Sequence, residues 1–264
     1  MRIKYYINKA YKNFNKLELR ILPGNIAFFF VLALIPIISC LVMMASYFSV
    51  SMDMIIQFIN NLIPKEASEL IINIIFEKGL DSSIGVFNIV ALFVASNGTY
   101  AIITASNTLY QVKENDVLKD RIRSFILLFI LLLLLIFLIA VPMFGGKVLS
   151  LFGNNEIVNN IKLIYNLVKW PITVFLIYIN LKMIYTIAPS IKINSKSTTA
   201  GAWFTTIIWT ITTAIFGYYL KYFANYSAIY GSLSNLIILM MWLYIISYVF
   251  VLGLAINVTN LNDN

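Results

Sequence analysis

The chain has no histidine, and its single cysteine, Cys40, sits in an apolar run. Those two absences remove much of the usual chemistry of sites. A zinc site needs Cys or His in sets, a disulfide needs a second cysteine, and Ser–His or Cys–His nucleophiles need an imidazole base. Charge is scarce as well: only 11% of the 264 residues are Asp, Glu, Lys or Arg, against about 25% in soluble domains. No cofactor and no metal are expected from this inventory, and the chain is not expected to be an enzyme. Cys40 reads as a small hydrophobe in a packed interior.

Apolar surface takes the place of what is missing. Hydrophobic residues make up 61% of the chain, more than a soluble core of this size can hide, so lipid must be the solvent for most of it. A hydrocarbon layer of about 30 Å is crossed by about 20 apolar residues in a helix. Six stretches approach or meet that length: 25–47, 84–104, 125–144, 170–187, 202–220 and 233–258. They predict an all-α integral membrane protein with six transmembrane helices in a single domain. The first span is not expected to be a cleaved signal, because it is too long and a basic segment of 24 residues precedes it.

Lysine and arginine collect on alternate sides of these spans. With the N-terminus inside, the inner segments hold twelve and the outer loops six, with Lys182 inside the fourth span. The rule that cytoplasmic loops carry the positive excess then places both termini in the cytoplasm.

Two segments outside the spans are patterned. Over residues 1–22, Ile3, Ile7, Ala10, Phe14, Leu17 and Ile21 share one helical face, and the basic residues lie mainly off it. This predicts a basic amphipathic helix, within the cytoplasmic segment 1–24, lying on the inner leaflet. Membrane lipids with anionic headgroups are the expected partners, each cation contributing about 1 kcal/mol. Nucleic acid is not an expected partner, since no aromatic, groove-sized surface accompanies the charge. The outer loop, 48–83, carries apolar stripes on both sides of Pro64 and predicts short amphipathic helices, either a structural cap or a lid.

Within the spans Lys182 is the one ionisable side chain, and snorkelling to the headgroups accounts for it. The absence of a midplane acid argues against an ion-coupled pump. Thr206, Thr210, Thr213 and Gly217 share a face of the fifth span. Such a face suits close helix packing or a weakly polar groove. Among the inner acids, Glu114, Asp116 and Asp120 alternate with Lys113, Lys119, Arg121 and Arg123 and read as solvated loop charges. Hydrolysis of RNA needs an acid–base pair or carboxylates holding metal ions, and this arrangement offers neither.

Several segments together resemble the YihY/BrkB family of bacterial inner-membrane proteins. They are Gly24-Asn25-Ile26-Ala27-Phe28 with Leu34-Ile35-Pro36, then Ser106-Asn107-Thr108-Leu109-Tyr110. A longer block runs from Pro189 through Gly201, Trp209, Tyr226 and Tyr230-Gly231-Ser232-Leu233 to Trp242-Leu243-Tyr244, Gly253 and Asn257. The family's acidic residue two places before the final Asn is Ala255 here, so a role needing that carboxylate is not expected. The resemblance implies six spans in the cell (inner) membrane. It also carries an old ribonuclease label for the family and links of some members to serum resistance or envelope lipid export.

The resulting expectation is transport or flipping of a lipid-like envelope component, with a non-transporting envelope scaffold as the alternative. The small-residue faces also suit self-association, so a homo-oligomer belongs among the expected partners. Candidate substrate-binding residues are Asn107, Tyr110, Tyr230 and Gly231 from the resemblance, and Thr206 and Thr210 from the hydroxyl face. Gly231 reads equally as a tight turn with positive φ.

Overall fold

The computed structural model describes residues 20–33, 53, 56, 60, 68, 69, 84–112, 116–133, 156–222, 226 and 230–262. Among the described residues regular structure is entirely helical. In chain order the helices are α1 (Arg20–Ala33), α2 (Ile84–Leu109), α3 (117–133), α4 (Glu156–Ile187), α5 (Thr199–Tyr222) and α6 (Ser234–Asn262). A 3-10 turn, Gly231–Leu233, leads into α6. Long runs of Leu, Ile, Val and Phe favour helix here because lipid leaves a backbone N–H no partner but its own helix.

α5 and α6 are each long and apolar enough to cross a membrane. Their outward faces fit that surrounding: Ile211, Ile215 and Met240 are exposed, which water would penalise and lipid does not.

Three boundaries differ from the sequence expectation. α3 starts at 117, not 125, so Lys119, Arg121 and Arg123 are helical residues instead of loop cations. α4 starts at Glu156, well before 170, and carries Pro171 in its interior. α2 runs on to Leu109. In each case helix continues past the apolar run, because the end of a hydrophobic stretch marks the edge of lipid and not the end of backbone pairing. Pro23-Gly24 also makes no break, since Arg20 to Ala33 is one helix. Residues 1–19 of the amphipathic segment, most of the outer loop and residues 34–47 and 134–144 lie outside the described residues.

α6 packs most extensively on α5, α5 also packs on α4, and α6 touches α2. The α5–α6 seam is tight because it is made by glycine. A Cβ on Gly201 would collide with the Gly253 carbonyl, and one on Gly253 with Thr205. Asn257 closes the seam, its Oδ1 accepting from the Gly201 N–H at 2.8 Å. Tyr185 ties three helices: its hydroxyl lies 2.7 Å from Thr205 Oγ1 and donates to the Phe250 carbonyl at 2.8 Å. Trp203 of α5 stacks on Tyr178 of α4 at 4.2 Å between ring centroids. The residues of the strongest family-like block thus include the seam itself.

Candidate functional site

The turn between α2 and α3 is shaped by local chain chemistry. Gln111 adopts φ +54°, and Val112 N–H and Gln111 N–H donate to the carbonyls of Asn107 and Thr108. This is a Schellman ending with a non-glycine residue in the left-handed position. Asp116 then caps α3, its Oδ1 accepting from the N–H groups of Leu118 and Lys119. The Lys119 ammonium beside it holds the Asp116 carboxyl below its usual range.

These two ends bring Asn107 and Asp120 together, and the α4–α5 turn adds Ser190. Asn107 Nδ2 donates to Asp120 Oδ2 at 3.1 Å and to Ser190 Oγ at 2.8 Å. Asn107 Oδ1 accepts the Ser190 N–H at 2.7 Å. Ser190 Oγ donates to Asp120 Oδ1 at 2.5 Å, and Arg123 Nη1 reaches both that carboxylate oxygen and Ser190 Oγ. Asp120 is only 4% exposed. The expectation of a solvated loop charge is therefore corrected for Asp120: it lies in the first turns of α3, facing α2, and its charge is paired with Arg123. The i,i+3 spacing of Asp120 and Arg123 on a helix was the available signal. Both oxygens of this carboxylate accept hydrogen bonds within the fold. Among the described residues no three potential metal ligands converge.

Arg121 points elsewhere. Its guanidinium lies 3.9 Å from the Phe93 ring centroid, donates to Asn97 Oδ1 at 2.8 Å, and reaches the Phe93 carbonyl. An arginine expected in a loop therefore lies along the α2 face of the second predicted span. Cation–π contact and two hydrogen bonds replace the water it gives up.

The six candidate residues fall on three separate elements. Asn107 belongs to the polar junction. Tyr110 follows it, its hydroxyl buried without a partner, and burial pushes the phenol up to about 12. Thr206 and Thr210 donate to the carbonyls of Ala202 and Thr206, so their hydroxyls are used by their own helix. Tyr230 is exposed and stacks on Tyr226. Gly231 has φ +54° and open space around its Cα, which is the tight-turn arrangement.

Two cavities are lined by other residues. The first, about 150 Å³ and partly open, receives one side chain from each of α1 to α5 (Phe30, Ile102, Leu131, Ile184 and Trp209) and several from α6, Trp242 and Ser247 among them. Its wall is almost wholly apolar. Trp209 Nε1 donates to the Ile246 carbonyl at 2.7 Å, whereas Trp242 Nε1 and Ser247 Oγ are buried without partners. Ser247 leaves no mark in the sequence pattern, because one serine inside an apolar run carries no periodic signal. The second is an open groove of about 300 Å³ on α4, lined by Tyr178, Lys182, Met183, Thr186 and Ser195. Lys182 Nζ lies 6.0 Å from the Tyr178 ring centroid and has no ion-pair partner among the described residues.

Comparison with known proteins matches residues 10–263 to the family described as virulence factor BrkB. The chain belongs to that family. It is 30% identical over 239 residues to the ribonuclease-like protein YfkH of Bacillus subtilis, covering 89% of this chain and 87% of that protein. A UPF0761 membrane protein of Glaesserella parasuis is 25% identical over 185 residues, covering 67% of this chain and 62% of the relative. A UPF0761 membrane protein of Coxiella burnetii is 29% identical over 104 residues, 36% of this chain and 37% of its own. No solved structure matches the chain. The family and these relatives make this a bacterial membrane protein, compatible with the two apolar helices α5 and α6.

Proposed function

We propose that the protein binds a lipid-like component of the bacterial envelope and moves it between leaflets, as a six-span bundle with both termini in the cytoplasm. The observation that supports this is the cavity where all six described helices meet. A bundle built only to hold partners together gains nothing from a void at its centre, since each lining atom there loses packing contacts. A cavity that is apolar, partly open and at the common meeting point instead suits a ligand drawn from the membrane. The Lys182 groove, an ammonium beside an aromatic and aliphatic wall, has the amphiphilic character of a headgroup rest. The ribonuclease-like name of the Bacillus relative is not carried over. Asp120 is a buried acid paired with Arg123 and bonded to Asn107 and Ser190, and among the described residues no carboxylate cluster forms around it to hold a metal ion.

The test is reconstitution into vesicles holding a headgroup-labelled fluorescent phospholipid, with the label on the outer leaflet bleached chemically. The expected outcome is a second bleaching phase, absent from empty vesicles, as inner-leaflet lipid reaches the outside. Ile102→Phe, which fills the cavity, is expected to slow that phase at least about fivefold, roughly the factor of one kcal/mol at 25 °C. Equal traces for protein-containing and empty vesicles overturn the reading.

A further inference from the structure

Two tryptophans line the central cavity, and their indole N–H groups meet different fates. Trp209 Nε1 is spent on the Ile246 carbonyl. Trp242 Nε1 is buried with no acceptor at all. Ser247 is only 2% exposed and its hydroxyl also lacks a partner. A serine or threonine inside a helix ordinarily donates to the carbonyl four residues back. Ser106, Thr186, Thr206 and Thr210 all do so in this molecule. Ser247 makes no such bond, and it faces the cavity.

The chemistry of these atoms narrows what can satisfy them. An indole nitrogen can only donate, so the missing partner must bring an acceptor. Among the described residues the cavity wall carries no ionisable side chain, and an isolated charge in such surroundings is strongly disfavoured, so a neutral acceptor fits. The volume, about 150 Å³, is close to that of engineered apolar cavities that hold benzene. It takes a carbonyl and a few carbons, and is too small for a headgroup. Because the cavity is partly open, the rest of a long chain can stay in the membrane.

We infer that Trp242 Nε1–H and Ser247 Oγ–H bind the ester carbonyl of a lipid acyl chain, whose first carbons fill the central cavity. This deepens the lipid-handling reading and rests on it. Ordered water is the competing occupant, since it too satisfies both donors.

The experiment offers the full-length protein, in mixed micelles, an equimolar pair of phosphatidylglycerols identical except that one carries ester-linked and the other ether-linked chains. Native mass spectrometry reads which is retained. The ether lacks the carbonyl, so the wild type is expected to retain the ester form about tenfold over the ether, the worth of roughly one hydrogen bond. Ser247→Ala and Trp242→Phe are each expected to reduce that ratio, and the double variant to bring it to about one. Ser247→Ala is the safer variant, because it leaves the shape of the cavity wall nearly unchanged, and an unchanged melting temperature shows that it folds. Retention of both lipids above the bulk proportion without ester preference overturns the carbonyl site while lipid handling stands. An ester preference that survives both substitutions also overturns it. Retention of neither lipid overturns this inference, and if transbilayer movement is also absent the functional reading falls with it. An isoprenoid quinone carried through from native membranes, and lost in the variants, assigns the donors to a different carbonyl and overturns the ester.

Discussion

The polar junction below α2 and the cavity at the centre of the bundle treat buried polar atoms in opposite ways. In the junction Asn107, Asp120, Arg123 and Ser190 each have at least two partners, from three stretches of chain. Around the cavity Trp242 and Ser247 have none. A network whose members bond one another holds elements in one arrangement and leaves little for a ligand. Unpaired donors beside open volume cost stability and persist where something else supplies the acceptor. The hydroxyl face of α5 belongs with the junction in this respect: Thr206 and Thr210 are satisfied by their own helix.

Substitutions test whether the two regions differ in this way. The largest effect is expected from Asp120→Ala, which strands the Arg123 guanidinium and two further donors. Removing one partner of a buried ion pair costs about 3 kcal/mol, read as a fall in the melting temperature of the purified protein. A change below about 1 kcal/mol would show that the junction does not hold the fold. Next come two serines compared directly. Ser190→Ala is expected to cost about 1.5 kcal/mol, because it leaves Asn107 and Asp120 short of partners. Ser247→Ala should lie within about 0.5 kcal/mol of zero in lipid-free detergent, because the atom removed has no bond to lose. Similar costs for both would erase the distinction between the two regions. The smallest effect concerns the exposed Asp116. Its carboxyl is held below the usual range by Lys119, so its support for the first turn of α3 is full above the ordinary carboxylate range. That support is lost as pH falls through the lowered value. Amide exchange at Leu118 and Lys119, relative to the middle of α3, should quicken on acidification and in Asp116→Ala alike.

Much of the helical architecture was legible in the residues, and the reason is local. α5 and α6 lie within a few residues of the apolar runs 202–220 and 233–258, because in lipid a run of apolar residues has hardly any option but helix. The positive φ at Gly231 was readable for the same kind of reason, since only that residue tolerates it freely. The early starts of α3 and α4 were not legible. Their first turns carry Asp116, Lys119, Arg121 and Arg123, or lie in the mixed stretch after Glu156, and charge looks the same in a loop and in helix that projects beyond lipid. The burial of Asp120 was hidden as well, since it needs Asn107 and Ser190, 13 and 70 residues away.

Residue content and pattern alone make this a helical membrane protein of the BrkB family, with no histidine and one cysteine. Composition and run length decide those matters, since each is a property of single residues or of one helix facing lipid. Which polar groups are spent and which are free is settled in three dimensions. Asn107, Thr206 and Ser247 are alike on paper as polar residues in or beside spans. Packing between helices gives Asn107 its partners, Thr206 is satisfied by its own helix, and Ser247 is left facing a cavity, because a side chain without a local bond depends on where distant helices bring an acceptor.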